Sequence, residues 1–78
     1  MPVAIVRLNG LLARDIDSTY QVSFGGKRIK LKTVLSKMTV EIPEKAVAFF
    51  AINRTKAVKD DWINDGDIID IFPVVTGG

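Results

Sequence analysis

Apolar residues recur at helical spacing in one stretch of this chain. In KLKTVLSKM, residues 30–38, Leu31, Val34, Leu35 and Met38 fall at i, i+3, i+4 and i+7, one stripe of a short helix with Lys32 and Lys37 turned away from it. The other apolar segments read as strands: PVAIVRL at the start, TYQVSF closed by Gly25-Gly26, AVAFFAIN, and IIDIF near the end. One short helix cannot cover both faces of a four- or five-stranded sheet. The pattern therefore predicts an α+β domain, a mixed sheet with one main helix packed on one face.

The connections sharpen that order. PVAIVRL alternates loosely and is β-branched, as for a strand buried on one face and largely on the other, with its first residues inside the sheet. NGLLARDIDS is a turn-rich loop that makes the first two strands a long-looped hairpin. VEIPEK is broken by Pro43 and reads as a connector or a single turn. NRTKAV reverses the chain after AVAFFAIN, and DDWINDGD makes a further turn around Asp65 and Gly66. The order is strand, strand, helix, strand, short strand, strand. No repeat, low-complexity segment or linker divides the chain, so residues 1–75 read as one domain and residues 76–78 as a flexible Thr-Gly-Gly tail.

Alternation in AVAFFAIN sends Phe49 and Phe50 to opposite faces, so one large aromatic lies away from the helix or beneath a loop. It is either part of an apolar contact surface or a core residue covered by the DDWIND segment. Trp62, beside a turn, reads as a cap on the core without a functional role.

Composition restricts the chemistry. The 78 residues contain no cysteine and no histidine, which removes thiol nucleophiles, disulfides, imidazole bases and nearly all zinc chemistry. A chain this short has one modest core and no room for an enclosed cofactor cavity. The start MPVAIVRLNG lacks the leader and apolar run of a signal peptide and no stretch is long enough to span a membrane, so the expected location is cytoplasmic. Net charge is +2, yet Lys27, Arg28, Lys30, Lys32 and Lys37 cluster early while Asp60, Asp61, Asp65, Asp67 and Asp70 gather late. Both groups read as solvated faces, or as surfaces that meet a docking partner.

The chain ends DIFPVVTGG. Two glycines add no packing surface and carry high conformational entropy, so the tail is either slack after the last strand or a working end. A terminal Gly-Gly alone is weak, since average glycine usage places it at about one chain end in two hundred. Its conjunction with an Asp-Gly-Asp turn, an apolar strand and Pro73 is far more specific.

These elements resemble the MoaD/ThiS family of ubiquitin-like sulfur carriers, the small subunit of molybdopterin synthase and the thiazole-pathway carrier. TVLSKM is similar to the family's helix opening, AINRTKAV to its Ala-Val-Asn-Gly hairpin, and INDGDIIDIFPVVTGG to its turn, strand, proline and terminal Gly-Gly. The resemblance implies a β-grasp fold and a protein co-substrate in place of an enzyme. Two departures stand out. Asn53 is followed by Arg54 where the family has glycine, which would strain a two-residue type I′ turn and suggests a longer loop. A single proline, Pro73, precedes the tail where the molybdopterin branch often has two, although length and the IFPVVTGG ending lean toward that branch.

By the same resemblance, Gly78 is the reacting residue. An adenylyltransferase like a ubiquitin-activating enzyme would use ATP to adenylate its carboxylate, and sulfide would displace AMP to leave a thiocarboxylate. No bound cofactor or metal is implied for the chain itself. Gly77 and Gly78 let the backbone thread a narrow tunnel, while Pro73 ends the strand ladder and aims the tail outward. Phe72, Val74 and Val75 at the tail base are the foremost partner contacts, Thr76 extends the tail, and Phe50 and Arg54 follow as members of the exposed sheet face or its rim. The expected partners are the adenylating enzyme and a sulfur-accepting synthase, of molybdopterin or of thiazole synthesis. A ubiquitin-like modifier joined to lysines through Gly78 would begin with the same adenylate. A β-grasp interaction module with an incidental tail, binding nucleic acid through Lys27, Arg28, Lys30 and Lys32, ranks last, because that cluster lacks interleaved aromatics and the acidic segment repels polyanions. Membranes are not among the expected partners.

Overall fold

The computed structural model describes residues 1–9, 19–38, 42 and 44–74. Among these residues, seven strands and one helix follow in the order β1 (Val3–Leu8), β2 (Thr19–Ser23), β3 (Arg28–Lys30), α1 (Leu31–Lys37), β4 (Val47–Ile52), β5 (Thr55–Ala57), β6 (Trp62–Asn64) and β7 (Ile68–Pro73), with a 3-10 turn at Glu44–Ala46 before β4. Five strands form the main sheet in the order β2-β1-β7-β4-β5. β1 and β7 run parallel at its centre, and every other neighbouring pair is antiparallel. This is the mixed sheet and single helix that the hydrophobic pattern predicts.

Strict alternation makes the core. In β1, Ala4, Val6 and Leu8 are buried, while Val3, Ile5 and Arg7 between them are half-exposed. Ile69 and Ile71 of β7, Val22 of β2, and Leu31 and Val34 of α1 join them in one cluster, with Phe24 and Ile63. Leu35 and Met38 complete the helical stripe against that cluster. The helix begins without a side-chain cap at Lys30. Its place is held by packing, consistent with the marginal intrinsic stability of a two-turn helix in water.

Two strands were not legible in the sequence. β3 and β6 pair antiparallel into a separate ribbon, with Arg28 opposite Asn64, Ile29 opposite Ile63 and Lys30 opposite Trp62. The DDWINDGD segment is thus part strand and part turn, not turn throughout. Ile29 and Ile63 point inward to the core, and Trp62 points outward, 43% exposed, so it does not cap the core. The Arg28 guanidinium lies 4.1 Å and the Lys30 ammonium 4.7 Å from the centroid of its ring. The basic cluster therefore acquires an aromatic from across the ribbon, contrary to its linear reading, and the two charge groups also meet where Lys32 pairs with Asp60 at 3.2 Å.

The Asp-Gly-Asp turn is a structural fastening. Gly66 adopts φ 86, a left-handed conformation that glycine reaches without a Cβ clash. Asp65 accepts a hydrogen bond from the Val3 N–H at 2.9 Å, and Asp67 accepts one from the Asn64 N–H at 2.7 Å. The turn thus ties the start of β7 to the start of β1. No helix among the described residues is long and apolar enough to cross a membrane.

Candidate functional site

The tail that carries the predicted chemistry leaves the sheet from β7. Ile69 and Ile71 face the helix and are fully buried, so by period two Ile68, Asp70 and Phe72 face the uncovered side of the sheet. Proline 73 is still within the strand, opposite Val47, and the Val74 N–H donates to the Ala46 carbonyl at 2.9 Å. The ladder toward β4 thus continues one residue past the proline, which corrects the expectation that Pro73 ends it. Alternation turns the missing Pro73 N–H toward the β1 side, where the last β1 bond among the described residues is Asn9 N–H to the Ile71 carbonyl at 3.1 Å.

Opposite this exit, β4 carries a bulge. Val47 pairs with Pro73 and Phe49 with Phe72, so Ala48 is an extra residue. The bulge lets both Val47 and Phe50 pack toward the helix side and leaves Phe49 on the open face. Phe49 stacks on Phe72, centroids 4.6 Å apart and planes 18° apart, and is 39% exposed. The aromatic of the open face is therefore Phe49 and not Phe50. Phe50 is half-buried against the core and lines a groove of about 930 Å³ with Leu35, Met38 and Val58 on the helix side.

Next to the aromatic pair the face becomes polar. Arg7 grips Asp70 in a two-pronged bond, Nε to Oδ1 at 2.8 Å and Nη2 to Oδ2 at 2.9 Å. Asp70 is only 5% exposed, and the Asn9 side-chain amide also reaches it at 3.4 Å. The Arg7 hydrogen bonds hold the Asp70 carboxyl below the usual carboxylate range against the opposing effect of burial, helped by Asn9 and by the charges of Arg7 and Arg54. This clasp joins β1 to β7 two residues before Phe72. Lys56 of β5 extends over Phe49, its ammonium 5.7 Å from the ring centroid.

The β4–β5 connection is a two-residue turn, Asn53-Arg54, between Ile52 and Thr55. Both residues have positive φ, 49 for Asn53 and 72 for Arg54, as a type I′ turn requires. The longer loop expected from the missing glycine is not formed. Asn53 supplies the compensation: its side chain donates to Asp67 at 3.0 Å and accepts from the Ile68 N–H at 3.0 Å, and its own N–H donates to the Ile68 carbonyl at 2.8 Å.

Of the residues expected at the site, Phe72, Pro73 and Val74 lie together at the tail root, and Arg54 lies at the far end of the same β4–β7 face. Val75, Thr76, Gly77 and Gly78 are outside the described residues. Arg7, Asp70, Phe49 and Lys56 are not among the expected site residues, although Phe49 is one of the two aromatics that alternation offers for the face away from the helix. Period two counted back from Phe72 would have placed Asp70 on its face, but Phe49 was hidden by the bulge. Among the described residues no three His, Cys, Asp or Glu side chains gather as a metal site.

A family model described as "ThiS family" matches residues 6–78, nearly the whole chain and through the final glycine. The chain belongs to the ThiS family. Members of the ThiS family are small sulfur carriers with a ubiquitin-like β-grasp fold, not catalysts, and the central parallel β1/β7 pair with one covering helix is that fold. Sulfur carriers of this kind work with an activating enzyme and a sulfur-accepting synthase. No curated protein matches the chain.

Proposed function

We propose that this protein carries sulfur as a thiocarboxylate on Gly78 and delivers it in molybdopterin synthesis. The family match, which reaches Gly78, supports the carrier part of this reading, on a chain whose last strand is the centre of the sheet; the chain length and the IFPVVTGG ending support the molybdopterin branch. In the proposed sequence, a Gly78 carboxylate oxygen attacks the α-phosphate of ATP in the activating enzyme and pyrophosphate leaves. A sulfur nucleophile then attacks the acyl carbon, the C–S bond forms and AMP departs. The resulting thiocarboxylate sulfur then bonds to the acceptor's substrate in the synthase, and water cleaves the bond between that sulfur and the Gly78 acyl carbon, leaving the sulfur on the substrate and a free Gly78 carboxylate.

The chain's own contribution is presentation. Phe72 and Pro73 root the tail in the best-anchored strand, Val74 and Val75 extend it, and Thr76, Gly77 and Gly78 offer a slim end for an enzyme channel. A chain without cysteine has no internal thiol to attack its activated terminus.

The test is reconstitution with the cognate activating enzyme, ATP and a sulfide source, followed by addition of synthase large subunits. Formation of molybdopterin from its precursor by the sulfur-loaded protein is expected. Sulfur transfer to a thiazole synthase instead would move the protein to that pathway, and appearance of the chain on lysines of larger host proteins would make it a modifier.

A further inference from the structure

The β3–β6 ribbon gathers part of the basic cluster around the chain's one tryptophan. Ile29 and Ile63 turn inward, so by period two Arg28, Lys30, Trp62 and Asn64 share the outward side. Lys30 stands directly across from Trp62, and Arg28 is in the next outward-facing pair, opposite Asn64. Arg28, Trp62 and Asn64 are exposed, as is Lys27 just before the strand. Among the described residues neither Arg28 nor Lys30 pairs with a carboxylate; both rest against the indole, 4.1 and 4.7 Å from its centroid. The carboxylates near the ribbon are engaged elsewhere. Asp60 is held by Lys32, Asp61 by the Val58 N–H at 2.8 Å, Asp65 by the Val3 N–H and Asp67 by the Asn64 N–H.

An exposed indole held by two cations suits a ligand that carries both negative charge and flat rings. A cation over a ring at the surface is weakly bound, whereas its bond to a phosphate oxygen is charge-assisted. A phosphate within reach therefore draws Arg28 or Lys30 off the indole and uncovers a ring face on which a base can stack. An acidic peptide would satisfy the cations and leave the indole unused. Bases in a duplex are already stacked on one another, so a single strand is the form that offers them. Arg28 and Lys30 lie about 7 Å apart along β3, far enough to meet separate phosphates. We infer that the outer face of the β3–β6 ribbon binds single-stranded nucleic acid, with Arg28 and Lys30 on the phosphates and Trp62 beneath a base. The ribbon is separate from the five-stranded sheet that leads to the tail, and its binding does not depend on the carrier reading.

Because Trp62 is the only tryptophan, its fluorescence reports on this face directly. The full chain would be titrated at low salt with a short oligothymidylate, an abasic strand of the same charge, polyglutamate and ATP. Saturable quenching by the oligothymidylate is expected, with the abasic strand bound at least about fivefold more weakly, as for loss of one base–aromatic stack. Affinity should fall with salt on a log–log slope of about −1.4, the value for two phosphate contacts on a single strand. Anisotropy of a labelled strand extends the test to variants, each measured well below its melting temperature. Trp62→Leu should lose affinity by the same factor as the abasic strand, Trp62→Phe should keep most of it, and Arg28→Gln with Lys30→Gln should remove the salt dependence. Equal binding of the abasic strand or of polyglutamate overturns the proposal in favour of an acidic protein partner. ATP bound as tightly as the oligothymidylate overturns it in favour of a free nucleotide. Unchanged affinity in Trp62→Leu, or no quenching at low salt, overturns it outright.

Discussion

Two side chains show how much a single residue decides here. Arg54 occupies a left-handed turn position that costs an L-residue about 1–2 kcal/mol, partly recovered against the larger unfolded-state entropy of glycine. Arg54→Gly should therefore stabilise the fold by about 0.5–1 kcal/mol, read as a higher urea midpoint with an unchanged slope. The sequence showed that glycine was missing from this turn but not that Asn53 would hold the tight geometry anyway, because the partners of Asn53, Asp67 and Ile68, come from another strand end. Asp70 makes a different expectation. Its folded-state pKa lies below the ordinary carboxylate value, chiefly through the Arg7 hydrogen bonds, so the clasp contributes stability above that ordinary value and loses it as pH falls through the depressed one. Melting temperatures of wild type and Asp70→Asn should differ most near neutral pH and converge in acid. A difference that is constant across that range would show that ionisation of Asp70 does not stabilise the fold.

At the scale of elements, the long apolar periods were readable and the short ones were not. Leu31, Val34, Leu35 and Met38 announce α1, and Ile69 with Ile71 announce the buried face of β7, because six or seven residues contain enough repeats to show a period. β3 and β6 have three residues each, too few for any period, and exist because they pair with each other. The bulge at Ala48 has no local signature either, yet it decides which phenylalanine reaches the open face. Two measurements probe these elements. Ile71→Ala, which truncates a fully buried side chain in the central strand, should cost about 2–5 kcal/mol, a large part of the stability of a domain this size. A double-mutant cycle between Phe49→Ala and Phe72→Ala should give a coupling of about 0.5–1.5 kcal/mol for the stacked pair, and a coupling near zero would remove the stack as an organising feature of the tail root.

For the whole molecule, chain order and spatial order are linked through one strand. β7 pairs with β1 on one side and β4 on the other, so the segment that leads to the tail is held by bonds from both halves of the chain. That arrangement explains why the fold class was legible from one helix among several strands. The candidate site was legible only as a motif: Gly77 and Gly78 lie outside the described residues, and the face beside the tail depends on the Arg7–Asp70 clasp and Phe49, which come together across strands distant in sequence. The acyl chemistry proposed for the carrier nevertheless converges on one atom group, the Gly78 carboxylate. Intact mass of the full chain after incubation with its activating enzyme, ATP and a sulfide source tests it directly. A mass gain equal to exchange of one oxygen for sulfur, located at Gly78 and absent when Gly78 is deleted, is the expected result; an unchanged mass under conditions in which the enzyme activates another carrier would contradict it.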